Sequence, residues 1–91
     1  LTKEDKDTGA DTQGNATFKG AQYTLFYGET NQNHAKDTPV KWQDESHPEV
    51  IKGKKASEQE VTLTIDKENQ VAVKHLDISN YYWKETKAPS L

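Results

Sequence analysis

The chain has 91 residues, 12 basic and 15 acidic side chains and a net charge of −3, which limits it to one small domain and offers no basic face for nucleic acid. It contains no cysteine, so disulfide scaffolds, thiol catalysis and cysteine-ligated zinc are excluded. No apolar run approaches the ~18 residues of a membrane-spanning helix.

Ile, Leu, Val and Phe make up 15 of the 91 residues, below the roughly 20% at which disorder becomes an alternative. Disorder also needs a high net charge, and the apolar residues here recur with period two. A folded domain with long polar loops is therefore expected. On its core alone such a domain is marginal and needs some other staple. Leu1 is not an initiator methionine. The chain reads as a piece of a longer protein, and the lack of a signal peptide carries no meaning.

Leu1 to Asp5 is a short strand candidate, followed by turn chemistry from Asp7 to Gly14. The acidic spacing Asp5, Asp7, Asp11 is that of a calcium loop, but Ala16 stands where a bidentate Glu would close it. Asn15-Ala-Thr17 fits a glycosylation sequon by chance. Ala21, Tyr23, Leu25 and Tyr27 alternate with Gln22, Thr24 and Phe26 in a second strand that Gly28 ends. By this count Phe26 faces outward.

Residues 28–57 are long and polar. Val40 to Gln43 is a short strand candidate anchored by Trp42 between Pro39 and Pro48, and Val50-Ile51 is a short edge pairing. Lys52-Gly-Lys-Lys55 reads as a solvated basic turn. Glu58 to Asp66 alternates, with Val61, Leu63 and Ile65 on one side and Thr62 and Thr64 on the other. Asp66 to Asn69 is a turn, Gln70 to Leu76 a strand with Val71 and Val73 inward, and Asp77 to Asn80 the next turn. The expected core is Tyr23, Leu25, Val61, Leu63, Ile65, Val71, Val73, Leu76, Tyr81 and Trp83. No helical period, repeat or low-complexity tract is visible, so the pattern predicts an all-β sandwich.

No Ser/His/Asp order, phosphate loop or HExxH motif is present, so turnover on a small substrate is not expected. His34, His47 and His75 lack any local ligand spacing. Neither metal nor cofactor is predicted. The most aromatic stretch is Asn80 to Leu91 at the C-terminal end. Alternation there places Tyr81, Trp83 and Glu85 on one face and Tyr82, Lys84 and Thr86 on the other, and Pro89 stops the strand. A carboxylate beside Tyr81 and Trp83 is costly unless paired or protonated. Taken alone, Glu85 could instead lie at a frayed strand end and reach water.

The run Tyr81-Tyr-Trp-Lys-Glu-Thr-Lys-Ala-Pro89 resembles the E-box of Cna B-type, SpaA-like domains of Gram-positive surface adhesins and pilins, with Trp83 in place of the usual Leu. Lys3-Glu-Asp-Lys-Asp-Thr-Gly9 is similar to that family's first-strand Lys-x-Asp-x-x-Thr-Gly. Gly20-Ala-Gln-Tyr-Thr-Leu25 is similar to its second-strand Gly-Ala-x-Phe-x-Leu. The resemblance implies a Greek-key β-sandwich of Cna B type over residues 1–91, truncated at the C-terminal strand and cut from a multi-domain surface protein. It also implies an intramolecular isopeptide bond. A desolvated lysine would be the nucleophile and a protonated glutamic acid would polarise the acceptor carbonyl. By position Lys3 matches the nucleophile, with Lys6 as its rival, and Glu85 matches the acid/base. The acceptor Asn or Asp would lie on a strand after Leu91, so no such bond is expected within these residues.

The implied role is a structural stalk or spacer of a cell-wall-anchored adhesin or pilin, outside the cell. Its partners would be neighbouring domains of the same protein, with a host extracellular-matrix protein as a further candidate. The alternatives are a module that binds a host protein or glycan, and one half of a split self-ligating pair. A binding module should gather Trp42 and Phe26 in one exposed patch; a spacer should not.

Overall fold

Strand β3, Gln22–Tyr27, is the centre of the fold. Its alternation works as the sequence predicts: Tyr23, Leu25 and Tyr27 are buried on one face, while Phe26 stands on the other. The computed structural model describes residues 19–89, together with the backbone of Glu4–Asp5 and Ala10–Asp11. Those two short stretches are β1 and β2, paired antiparallel with Glu4 opposite Asp11. Ala10–Asp11 thus lies extended inside a stretch that the sequence suggests is all turn.

The remaining strands are β4 (Glu49–Lys52), β5 (Lys54–Lys55), β6 (Thr62–Thr64), β7 (Ala72–Lys74) and β8 (Tyr81–Lys87). One antiparallel sheet has the order β5-β6-β3-β8, and β4 and β7 form a second antiparallel pair. The described residues contain no α-helix, only a 3-10 turn at Trp42–Asp44. The protein is therefore all-β.

The core lies between the two layers. Ala21, Tyr23, Leu63, Ile65 and Val71 form one buried cluster, against which Val50 of β4 and Val73 of β7 pack. Leu25, Tyr27, Val40 and Val61 form a second. Trp42, Val73 and Trp83 touch both clusters and join them. Of the expected core, Tyr23, Leu25, Val61, Leu63, Ile65 and Val71 are fully buried. Val73, Leu76, Tyr81 and Trp83 are half-buried against the same clusters. The outer face of the main sheet is polar, and its threonines are linked. Thr24 Oγ1 lies 2.8 Å from that of Thr62 and 3.1 Å from that of Thr86. Phe26 stacks on Tyr82 there at 5.6 Å, with the Lys84 ammonium 5.7 Å from its ring.

Two segments differ from the sequence reading, each for a local reason. Val40 to Gln43 is not a strand. The Val40 N–H donates to the Leu25 carbonyl and the Val40 carbonyl accepts from Val61, which wedges Val40 between β3 and the approach to β6. The chain then turns, closed by Asp44 N–H to the Lys41 carbonyl, and the Trp42 indole donates to the Ser57 carbonyl at 2.8 Å. A half-buried indole N–H needs a partner, and this one lies across the loop.

Nor is Lys52 to Lys55 a plain solvated turn. It is the corner at which the chain leaves the β4–β7 pair and joins the main sheet as β5. Gly53 makes the corner with φ +90°, and a Cβ there would sit 3.0 Å from the Thr64 carbonyl oxygen. Gly53→Ala is expected to cost about 1–3 kcal/mol from backbone strain and this contact. A urea titration in which the midpoint falls while the slope holds would report it; an unchanged midpoint would mean that the corner relaxes freely.

Candidate functional site

The predicted site is in view through Glu85 alone. Lys3 and its rival Lys6 lie outside the described residues. Glu85 is inside β8, two residues short of its end, and is half-buried. It does not lie at a frayed terminus. In the register of the β3–β8 pair it stands directly opposite Tyr23, next to the irregularity at Gln22. The Tyr23 hydroxyl, on a residue only 6% exposed, donates to Glu85 Oε2 at 3.1 Å. The alternation that buries Tyr23 is what turns Glu85 inward across the ladder. A carboxyl group held on the apolar face by a phenol is oriented for proton exchange with a neighbour on that face.

Asp77 and Asn80 do not come near it. Asn80 adjoins the opposite end of the strand, where its carbonyl accepts from Gly28 N–H at 2.7 Å. Glu85 is five positions along the chain from Asn80, about 16 Å at ~3.3 Å per residue.

A second polar constellation occupies that opposite end, and the sequence reading passes over it. Tyr27 and Tyr81 face each other as a cross-strand pair, with rings 5.6 Å apart. Both hydroxyls point to Glu45, which the turn after Trp42–Asp44 delivers to them. Glu45 is only 7% exposed. Its Oε2 accepts from Tyr27 at 3.1 Å, and its Oε1 accepts from Tyr81 at 2.7 Å and from the Asp77 backbone N–H at 3.0 Å. Burial, reinforced by the Glu45 carboxylate, pushes both phenols well above the ordinary tyrosine range. His34 stacks on Tyr27 at 4.2 Å and 8°, and Ser46 donates to Asp77 Oδ1 at 2.9 Å. Tyr27, His34, Glu45, Asp77 and Tyr81 line a cleft of about 220 Å³. A signal existed in the sequence: two inward tyrosines at the paired ends of two strands need a shared acceptor. What the sequence does not give is which loop carboxylate reaches them.

Trp42 and Phe26 do not share a patch. Trp42 packs into the core side of the sheet, with the Lys55 ammonium 5.0 Å from its ring, whereas Phe26 lies on the outer face against Tyr82.

No protein family, curated protein or solved structure matches the chain. No helix among the described residues is long and apolar enough to cross a membrane.

Proposed function

We propose that this chain is a structural spacer module of Cna B type, with a Greek-key sandwich, from a cell-wall-anchored adhesin or pilin of a Gram-positive bacterium. The observation that carries the reading is the placement of Glu85. It sits inward on β8, half-buried, with its carboxyl oriented by the Tyr23 hydroxyl. That is a placement an isopeptide acid/base needs, since the carboxyl is turned toward the apolar face and held there in one orientation. The separation of Trp42 from Phe26 favours a spacer over a host-protein or glycan binder, because the two aromatics that a binder would gather lie on opposite faces of the sheet.

In this reading Lys3 is the nucleophile. Its neutral amine attacks the side-chain carbonyl of an Asn or Asp on a further strand, and ammonia or water leaves as the amide bond forms. Glu85 donates a proton to the acceptor oxygen and takes one from the amine. The partners are the neighbouring domains of the same surface protein.

Intact mass tests this. The 91-residue chain alone should have its sequence mass. Mixed with a peptide that carries an Asn on an alternating apolar strand, it should gain the peptide mass less one ammonia. Glu85→Gln should abolish the adduct and leave the circular dichroism spectrum unchanged. Formation of the adduct at the parent rate by Glu85→Gln would overturn the role of Glu85. Retention of the adduct by Lys3→Arg, with loss in Lys6→Arg, would move the nucleophile to Lys6.

A further inference from the structure

We propose that the cleft at the Tyr27–Tyr81 end of the sheet binds the cationic side chain, lysine or arginine, of a partner polypeptide. The inference rests on the cleft alone and stands whether or not the spacer reading holds.

Charge is the first argument. Glu45 and Asp77 both line the cleft, and neither has a Lys, Arg or His within 4.0 Å among the described residues. No lysine or arginine among the described residues lines the cleft. Asp44 adds its field to the same place, since it raises the Tyr27 phenol. Glu45 is more than nine-tenths buried, and a buried carboxylate without a cation is costly.

Acceptor capacity is the second argument. A carboxylate offers about four acceptor positions. Three of those on Glu45 are filled by Tyr27, Tyr81 and the Asp77 N–H, which leaves one on Oε2. On Asp77, Ser46 fills a position of Oδ1, and Oδ2 has no donor among the described residues. An ammonium or guanidinium has donors to spare and would form charge-assisted bonds to both carboxylates. A divalent metal ion fits less well, because no three His, Cys, Asp or Glu ligands converge among the described residues.

Shape is the third. The volume of about 220 Å³ is below the roughly 300–1,000 Å³ typical of sites for drug-sized ligands, and suits one long side chain. Ile78 stands fully exposed on the rim, and the Tyr81 ring lines the wall. Both offer apolar surface to the methylene stem of such a side chain. The cleft lies at the opposite end of the β3–β8 pair from Gln22 and Lys87, away from Glu85.

The test is an amide chemical-shift titration of the whole chain at pH 7.5 with Nα-acetyl-lysine methylamide, its arginine counterpart, and the neutral Nε-acetylated lysine form. Both charged probes should produce saturable shifts at Ile78, Ser79 and Asn31, with Kd of about 1–10 mM. The neutral probe should produce none. Asp77→Asn, at an exposed site, should weaken binding about 10-fold. Glu45→Gln should weaken it further if it folds, and the Asp77 variant decides the matter if it does not. Absence of shifts with either charged probe, equal shifts with the neutral one, or unchanged affinity in Asp77→Asn would each overturn the assignment.

Discussion

Raising the pH above 10 is expected to unfold this domain steeply. Tyr27 and Tyr81 keep their protons in the folded state to well beyond the point at which free phenols lose them, first because they are buried and then because both donate to Glu45. In the unfolded chain they ionise near 10. Above that pH the unfolded state binds fewer protons than the native state, so stability falls as pH rises. Below it the contribution is complete and does not vary. The slope is about 1.4 kcal/mol per pH unit for each tyrosine. Two units above pH 10 therefore remove about 5 kcal/mol, close to the whole stability of a small domain. Tyr82 is displaced in the same direction by its hydrogen bond to Asp37, but it lies at the surface and adds little. Phenolate absorbance and circular dichroism followed together would check this. The phenols of Tyr27 and Tyr81 should ionise only as the strand signal disappears. A full phenolate spectrum while the fold persists would mean that the Glu45 clasp opens without unfolding.

Leu63→Ala is expected to cost about 2–5 kcal/mol, the range for emptying a buried leucine site. Leu63 is 0% exposed, lies on β6 opposite Tyr23, and packs in the cluster that joins the two layers. The neighbouring strands cannot close over the space, because Tyr23 and Lys55 flank Leu63 in register and fix its sheet. Ile51→Ala is the control. That side chain is 54% exposed, and its loss should change stability by about 0.5 kcal/mol or less. Denaturant midpoints for the two variants would separate the cases. Equal midpoints would mean that β6 is not a core strand.

Period-two alternation made the inner face legible. Tyr23, Leu25, Val61, Leu63, Ile65 and Val71 are where the spacing puts them because a strand with one dry face tolerates no slip of register. Phe26 outward follows from the same count. Val50-Ile51 was legible as a short pairing, which β4 makes with β7; what was not legible is how the polar region from Gly28 to His47 folds. No period runs through it, and its contacts are set by single long-range hydrogen bonds, those of Val40, Trp42 and Glu45. Glu45 reads as one loop acid among many until the ends of β3 and β8 are brought together. Gly53 likewise looks like a turn residue between lysines; only the two-layer packing makes it a corner between sheets. For Glu85, the residue alternation already placed it inward, and the structure adds Tyr23 as the donor that holds it there.

The antiparallel pairing of β3 and β8 also decides how the domain meets a pulling force. Gln22 and Lys87 are neighbours in register, so tension applied across residues 19 and 89 opens the pair like a zip, one rung after another. Such loading meets only one rung's resistance at a time, whereas strands pulled lengthwise past each other must break all their bonds together. The first rungs to open are Gln22–Lys87 and Tyr23–Glu85; the Tyr27–Tyr81 rung with its Glu45 clasp is the last. The mechanical strength of this sheet therefore depends on what ties the Glu85 end, and a covalent link formed there would stop the zip at its first tooth.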